Sequence, residues 1–176
     1  PLKERPSIMR RVGRVVREPA VATAVKQAFL DTSGWFAELS SKEARHRVAL
    51  ATYRGWIDEG RQLVTTNLVL AEMQILLVRF RGVSAGVQFL ESVHQDPSHE
   101  VIYVDRDLER AAVDRWLRRF GDQRCSLADA VSFEVMRQRR LKGVLALDEH
   151  FTTVGFDAHP DHPKLGFSVL CCASPA

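Results

Sequence analysis

Apolar positions along the chain fall into two alternating kinds of run: short continuous ones of strand length, and longer ones with helical spacing. Gln27–Asp31 (QAFLD) reads as a short buried strand that ends in an acid, with a short helix after it. Lys42–Glu59 is a helical stretch with Ala44, Val48, Ala51 and Trp56 near helical spacing, and Gly60 closes it. Gln62–Thr65 is a second strand, Asn67 the expected N-cap of a helix to about Phe80, and Val83–Val93 a further helix stopped before Pro97. Glu100–Val104 (EVIYV) is a third strand, and Leu108–Phe120 a basic amphipathic helix ended by Gly121. Ser126 to about Leu141 forms the next helix, Gly143–Leu147 (GVLAL) a fourth strand running into Asp148, and Gly166–Leu170 (GFSVL) a last short strand.

Strands that alternate with helices predict βα units: an α/β fold with a mainly parallel sheet and helices on both faces. In such sheets ligands bind outside the carboxyl ends of the strands. Asp31 and Asp148 each follow an apolar strand, so both are expected at that edge.

Composition narrows the class. The chain has 176 residues, 45% hydrophobic and 27% charged, which suits one domain with a core of its own. No apolar run approaches the roughly 18 residues of a membrane span, and the basic N-terminus lacks the apolar stretch of a secretory signal. Three cysteines, with Cys171 and Cys172 adjacent, make no extracellular disulfide framework, so a reduced cytoplasmic protein is expected.

The net charge of +3 is unevenly spread. Residues 1–27 hold seven Lys or Arg against Glu4 and Glu18, a balance of +5, and the other 149 residues hold 18 basic against 20 acidic groups, a balance of −2. Residues 1–26 therefore read as a basic N-terminal extension and 27–176 as the domain proper. A basic arm suits contact with nucleic acid, while its plain reading is a solvated leader.

Four acids carry the candidate chemistry, and each has a structural alternative. Asp31, in Asp31-Thr32-Ser33, suits an N-cap or turn. Glu72 has Leu68, Val69, Ile75 and Leu76 three and four positions away, an apolar flank on which a carboxylate is costly unless paired or bound to a cation. Asp129 lies three residues after Ser126, the spacing of a capping arrangement. Asp148 begins Asp148-Glu149-His150-Phe151 and suits a cap as well. Their joint placement is more telling. Two acids end parallel strands, two lie in the early turns of helices, and all four can converge on one edge. Clustered carboxylates repel one another, and divalent cations are the usual reason to assemble them. Oxygen-rich ligands favour Mg²⁺ or Mn²⁺ over zinc, and such an ion suits hydrolysis of a phosphodiester.

FLDTSGWFAEL (Phe29–Leu39), LVTTNLVLAE (Leu63–Glu72), CSLADAVSFEVM (Cys125–Met136) and LALDEHFTTVGF (Leu145–Phe156) together resemble the PIN-domain nucleases. Their order and spacing are similar to those of VapC-type toxins of toxin–antitoxin pairs and related stand-alone PIN proteins, over roughly residues 27–172. The resemblance implies a PIN fold with a five-stranded parallel sheet and Mg²⁺- or Mn²⁺-dependent cleavage of RNA. It implies that Asp31, Glu72, Asp129 and Asp148 are the catalytic, metal-holding quartet. Thr32, Ser33 and Ser126 match small polar positions that orient those acids. It implies an antitoxin as partner where the chain is a toxin, and homodimers are common among such proteins. Ala128 stands where Thr is frequent, and Arg124 where an acid is frequent; neither removes an expected ligand. The extension has no counterpart in short VapC-type toxins.

Other signals are read as structural. His159-x-x-His162 lies between prolines without a second ligand pair and reads as a loop. His150 is expected to shape a helix start. Cys125, Cys171 and Cys172 are expected to be inert, and Trp35, Trp56 and Trp116 to pack. Arg110, Arg115, Arg118 and Arg119 read as a solvated helix face, with RNA-backbone contact as the alternative. An aspartyl phosphatase would have an acid where Ser33 stands, and a receiver domain would have an early acidic pair and a late Lys. The remaining rival is a non-catalytic PIN-like module that binds RNA or protein, a reading that loss of one or more acids would favour.

Overall fold

A computed structural model of the chain describes residues 26–120 and 125–160. Five parallel strands run in the order β3-β2-β1-β4-β5. They are β1 (Gln27–Leu30), β2 (Gln62–Thr66), β3 (His99–Ile102), β4 (Gly143–Leu145) and β5 (Asp157–His159). The helices are α1 (Thr32–Leu39), α2 (His46–Asp58), α3 (Asn67–Arg81), α4 (Val83–Gln95), α5 (Arg106–Ala112), α6 (Leu127–Gln138) and α7 (Glu149–Thr153).

The connections walk from β1 outward to β3, then return to β4 beside β1 and move out the other way. Right-handed crossovers put α1 to α4 on one face and α5 to α7 on the other. The direction of winding reverses between β1 and β4, and a crevice opens at the carboxyl ends of the strands at such a reversal. Asp31 directly follows β1 and Asp148 lies three residues past β4, so both expected strand-end acids stand at this switch point.

The central strands are apolar because helices cover both faces. Ala28, Phe29, Leu30, Leu63, Val64, Val144 and Leu145 are all fully buried. Thr65 is buried among them because its hydroxyl donates to the Leu30 carbonyl (3.0 Å), which satisfies its one polar group. The tryptophans pack as expected: Trp35 edge-on to Phe89, Trp56 edge-on to His159, and Trp116 against Phe133. None of the helices among the described residues is long and apolar enough to cross a membrane.

Several boundaries differ from the sequence reading. The second helix starts at His46, not Lys42, and β3 spans His99–Ile102 rather than Glu100–Val104. The N-cap of α3 is Thr66, whose extended backbone lets its hydroxyl accept from the Val69 N–H. Asn67 is instead the first helical residue, and its side chain accepts the Val104 N–H (2.9 Å), tying α3 to the segment after β3. The expected helix over Leu108–Phe120 starts earlier, at Arg106, and widens into a π-helical turn at Val113–Leu117. The fifth strand is Asp157–His159, so His159 belongs to the sheet rather than to a loop. The expected strand Gly166–Leu170, His162, Cys171, Cys172, Arg124 and the 1–25 part of the basic extension lie outside the described residues.

Candidate active site

Each of the four acids is placed by a helix start or an early helical turn. Asp31 is the N-cap of α1: its Oδ2 accepts the Ser33 N–H (3.0 Å) and the Ser33 hydroxyl (2.7 Å). The same hydroxyl accepts the Leu147 N–H (2.9 Å), and the Asp31 N–H donates to the Leu145 carbonyl (3.1 Å). Ser33 thereby couples the Asp31 carboxylate to the end of β4. Gly34 makes the approach possible, since a Cβ there would lie 2.0 Å from the Leu145 carbonyl oxygen.

Asp129 closes a reciprocal capping box at the start of α6. Its N–H donates to Ser126 Oγ (3.1 Å), and its Oδ2 accepts the Ser126 N–H (2.8 Å). Asp148 caps α7, accepting the His150 N–H at Oδ1 (2.9 Å). Glu72 is the exception. It lies in the second turn of α3 and accepts a 2.6 Å hydrogen bond from the Thr32 hydroxyl at the start of α1. Thr32, Ser33 and Ser126 thus each hydrogen-bond one of the acids.

Electrostatics shows how the acids meet. Burial raises the Asp31 carboxyl to about 7, and the charges of Asp129 and Glu72 push the same way while the Ser33 bonds oppose them. Burial also raises Glu72, against the Thr32 bond and with the charge of Asp129 adding to the rise. Asp129 is raised by burial and by Asp148, with the Ser126 bonds and His150 opposing. Asp129 therefore faces the other three acids. Its spacing from Ser126 reads in the sequence as a capping arrangement, and in space its charge reaches Asp31 and Glu72 while that of Asp148 reaches it.

The tightest ligand group is Asp129, Asp148 and His150, with one ligand atom from each within 4.8 Å of the others. Asp31 and Glu72 stand outside this group, coupled to it through Asp129. His150 helps shape the start of α7 through its backbone N–H, which donates to the capping Asp148 carboxylate (2.9 Å), and its imidazole has a second place beside the acids. Its Nδ1 lies 3.1 Å from Asp148 Oδ1 and 3.9 Å from Asp129 Oδ2. The signal was a His two residues after a strand-end acid.

The donor set suits a divalent cation. A buried carboxylate (Asp31) and two half-buried ones (Glu72, Asp129) whose neighbouring charges are mostly other carboxylates are held above their ordinary protonation range, and a bound cation relieves that repulsion. The buried Glu134 is the contrast: Arg137 grips it with two hydrogen bonds (2.7 and 3.0 Å), and Gln138 and the Trp116 indole add a third and fourth. That network makes Glu134 an ion pair inside the fold. It also draws Arg115 to within 3.4 Å, and Arg118 pairs with Asp114, so two of the four arginines on the basic helix are matched. The Cys125 thiol is pushed up to about 12 by burial and by Asp129 and Asp148, which favours its protonated form.

Comparison with known proteins gives a consistent picture. The PIN domain family model matches residues 28–157. The chain is 35% identical over 128 residues to the 23S rRNA-specific endonuclease VapC20 of Mycobacterium tuberculosis, covering 73% of this chain and 94% of that protein. It is 29% identical over 134 residues to a VapC ribonuclease of Archaeoglobus fulgidus, covering 74% and 83%. The crystal structure of the M. tuberculosis VapC20, described as a sarcin–ricin loop cleaving toxin, superposes with a TM-score of 0.65 over 74% of this chain and 96% of that one. FitAcB from Neisseria gonorrhoeae, at 16% identity and a TM-score of 0.55 over 74% of this chain and 95% of that one, is alike in fold.

Proposed function

The chain belongs to the PIN-domain family and is a metal-dependent endoribonuclease, and we propose that Asp31, Glu72, Asp129 and Asp148 form its catalytic site. The observation that carries this reading is the convergence of the acids at the switch point of the sheet, where Asp31 caps α1 beside the end of β4, Asp129 and Asp148 share one ligand group, and the Asp129 charge reaches both Asp31 and Glu72. Structural caps alone give no reason to gather carboxylates that oppose one another's ionisation. Nor does a non-catalytic binding module explain the retention of all four.

A divalent ion, Mg²⁺ or Mn²⁺, held by these carboxylates would polarise a phosphodiester oxygen and supply a hydroxide-like water. The rest is the work of this chain's own groups. Ser33 fixes Asp31 Oδ2 against the end of β4. Thr32 fixes the Glu72 carboxylate, and the Ser126 N–H fixes Asp129 Oδ2. Without a cation, Asp31 holds a proton up to a pH of about 7, so ion binding there releases protons.

RNA is the substrate. Ribosomal RNA is the proposed target, supported by the relative that acts on 23S rRNA. A toxin role with a co-expressed antitoxin is proposed on the same footing, as is a homodimer. Purification from the native host, with identification of what co-elutes and measurement of the mass in solution, tests both. For the site, cellular RNA is end-mapped after brief expression of the wild type and of Asp31→Asn. New 5′ ends should appear with the wild type only. Equal cleavage by the two would sink the assignment.

A further inference from the structure

We infer that His150 is a fifth metal-binding side chain of this site, and that its imidazole tilts the site toward Mn²⁺ over Mg²⁺. The inference rests on the carboxylate reading above and adds a nitrogen donor to it.

His150 Nδ1 is shielded from solvent and makes no well-directed hydrogen bond. Asp148 Oδ1 is only 3.1 Å away, but the angle is wrong for donation. Among the described residues Trp35 Nε1 and Ser132 Oγ are likewise buried and unpartnered, but His150 Nδ1 is the one of the three that stands in a group of possible ligands, beside two carboxylates, where an ion would satisfy it. The spacing agrees with that explanation. Donors about 2.1 Å from an octahedral ion stand about 3.0 Å apart in cis and about 4.2 Å apart in trans. Nδ1 lies 3.1 Å from one carboxylate oxygen and 3.9 Å from the other, inside that span.

The imidazole is also held in place. Phe151, the next residue, is fully buried and meets Phe133 edge-on, with ring centroids 4.9 Å apart. Phe133 belongs to α6, which carries Asp129 near its start. One aromatic contact therefore locks the two ligand-bearing helices together, and a site so locked needs little ordering when an ion arrives.

The choice of ion follows from the added nitrogen. Mg²⁺ is hard, takes oxygen donors and dehydrates reluctantly, whereas Mn²⁺ accepts mixed oxygen and nitrogen sets more readily. Four carboxylates alone would serve either ion. A fifth, imidazole donor gives Mn²⁺ an advantage that Mg²⁺ cannot use.

The test uses untagged full-length wild type, His150→Gln, His150→Ala and Asp129→Asn, all first stripped with chelator. Binding of Mn²⁺ and of Mg²⁺ is titrated by calorimetry, and the Mn²⁺-loaded proteins are examined by pulsed electron paramagnetic resonance for ¹⁴N coupling. Wild type should show imidazole nitrogen on the ion, and both His150 variants should lose it. Their Mn²⁺ affinity should fall by about tenfold or more while Mg²⁺ affinity changes little. A ¹⁴N signal that persists in both variants, equal loss for the two ions, or no loss at all would overturn the inference. Thermal melting of the stripped His150 variants separates a ligand effect from misfolding, with Gln as the milder change. Asp129→Asn should weaken both ions. If it weakens neither, the carboxylate site itself fails; if it weakens both while the His150 variants bind as wild type, only the imidazole is excluded.

Discussion

The Thr32 hydroxyl and the Glu72 carboxylate, forty residues apart, meet in a 2.6 Å hydrogen bond that joins the first turn of α1 to the second turn of α3. Glu72 needs this donor more than the other acids need theirs, because it is neither an N-cap nor a capping-box partner. The bond also opposes the upward push of burial on its ionisation. Thr32→Val keeps the shape and removes the hydroxyl. Cleavage should fall about 10- to 100-fold at limiting metal, with partial recovery as metal is raised. Thr32→Ser should restore it. Equal rates for Val and Thr would show that Glu72 needs no such support.

Asp31 should be a stability cost in the stripped protein. Its folded carboxyl titrates at about 7 against an ordinary 3.8, so the folded state holds its proton to higher pH than the unfolded chain. Stability is then lost as pH rises from about 4 to about 7. Asn at this position can still accept the capping bonds and has no proton to lose. In chelator at pH 8, Asp31→Asn should be more stable than wild type by about 2–4 kcal/mol, and the advantage should vanish near pH 4. Denaturant melts across this range would read it. A variant less stable than wild type at pH 8 would refute the account.

Glu134 should behave in the opposite sense. Burial pushes its carboxyl up, but the bonds from Arg137, Gln138 and Trp116 outweigh that and hold it down at about 2. The depressed value means a contribution fully present above the unfolded value of about 4.5 and lost as pH falls from there toward 2. Glu134→Gln should cost about 1–3 kcal/mol at pH 7. Its acid-unfolding curve should converge with wild type at the low end of this window.

Gly34 should tolerate no side chain. A Cβ there would lie 2.0 Å from the Leu145 carbonyl oxygen and 2.6 Å from its carbon, backbone atoms that cannot swing aside. Gly34→Ala should destabilise by about 3 kcal/mol or more. It should also weaken Mn²⁺ binding, because α1 carries Asp31 at its cap and β4 leads to Asp148. Wild-type melting and ion binding in this variant would contradict the close approach.

Much of this was legible in the residues. Continuous apolar runs mark buried parallel strands, so QAFLD and GVLAL announced both their strands and the acids beyond them. What was hidden depends on distance in space. Thr66 and Asn67 are both good caps, and only the point where β2 bends chooses between them. Asp157-Ala158-His159 has one buried residue, too few for a periodicity, whereas GFSVL looks more like a strand. The π-helical turn shows no breaker in sequence; it coincides with the pull of Glu134 on Trp116. Asp129 looked like a capping-box partner because it is one, and the imidazole of His150 drew no attention because its neighbours come from the preceding turn and another helix.

The capping duty of three of the four acids has an evolutionary consequence. Substitution by Ala, Val or Gly removes a helix cap at Asp31 or Asp148, or the returning half of the Ser126 capping box at Asp129, together with the chemistry, so such a silenced enzyme is also a weakened fold. Asp to Asn, a single-nucleotide change, keeps the cap and abolishes only the charge. Inactive descendants of this protein should therefore accumulate Asn at these three positions, while Glu72, which caps nothing, should drift freely once activity is gone.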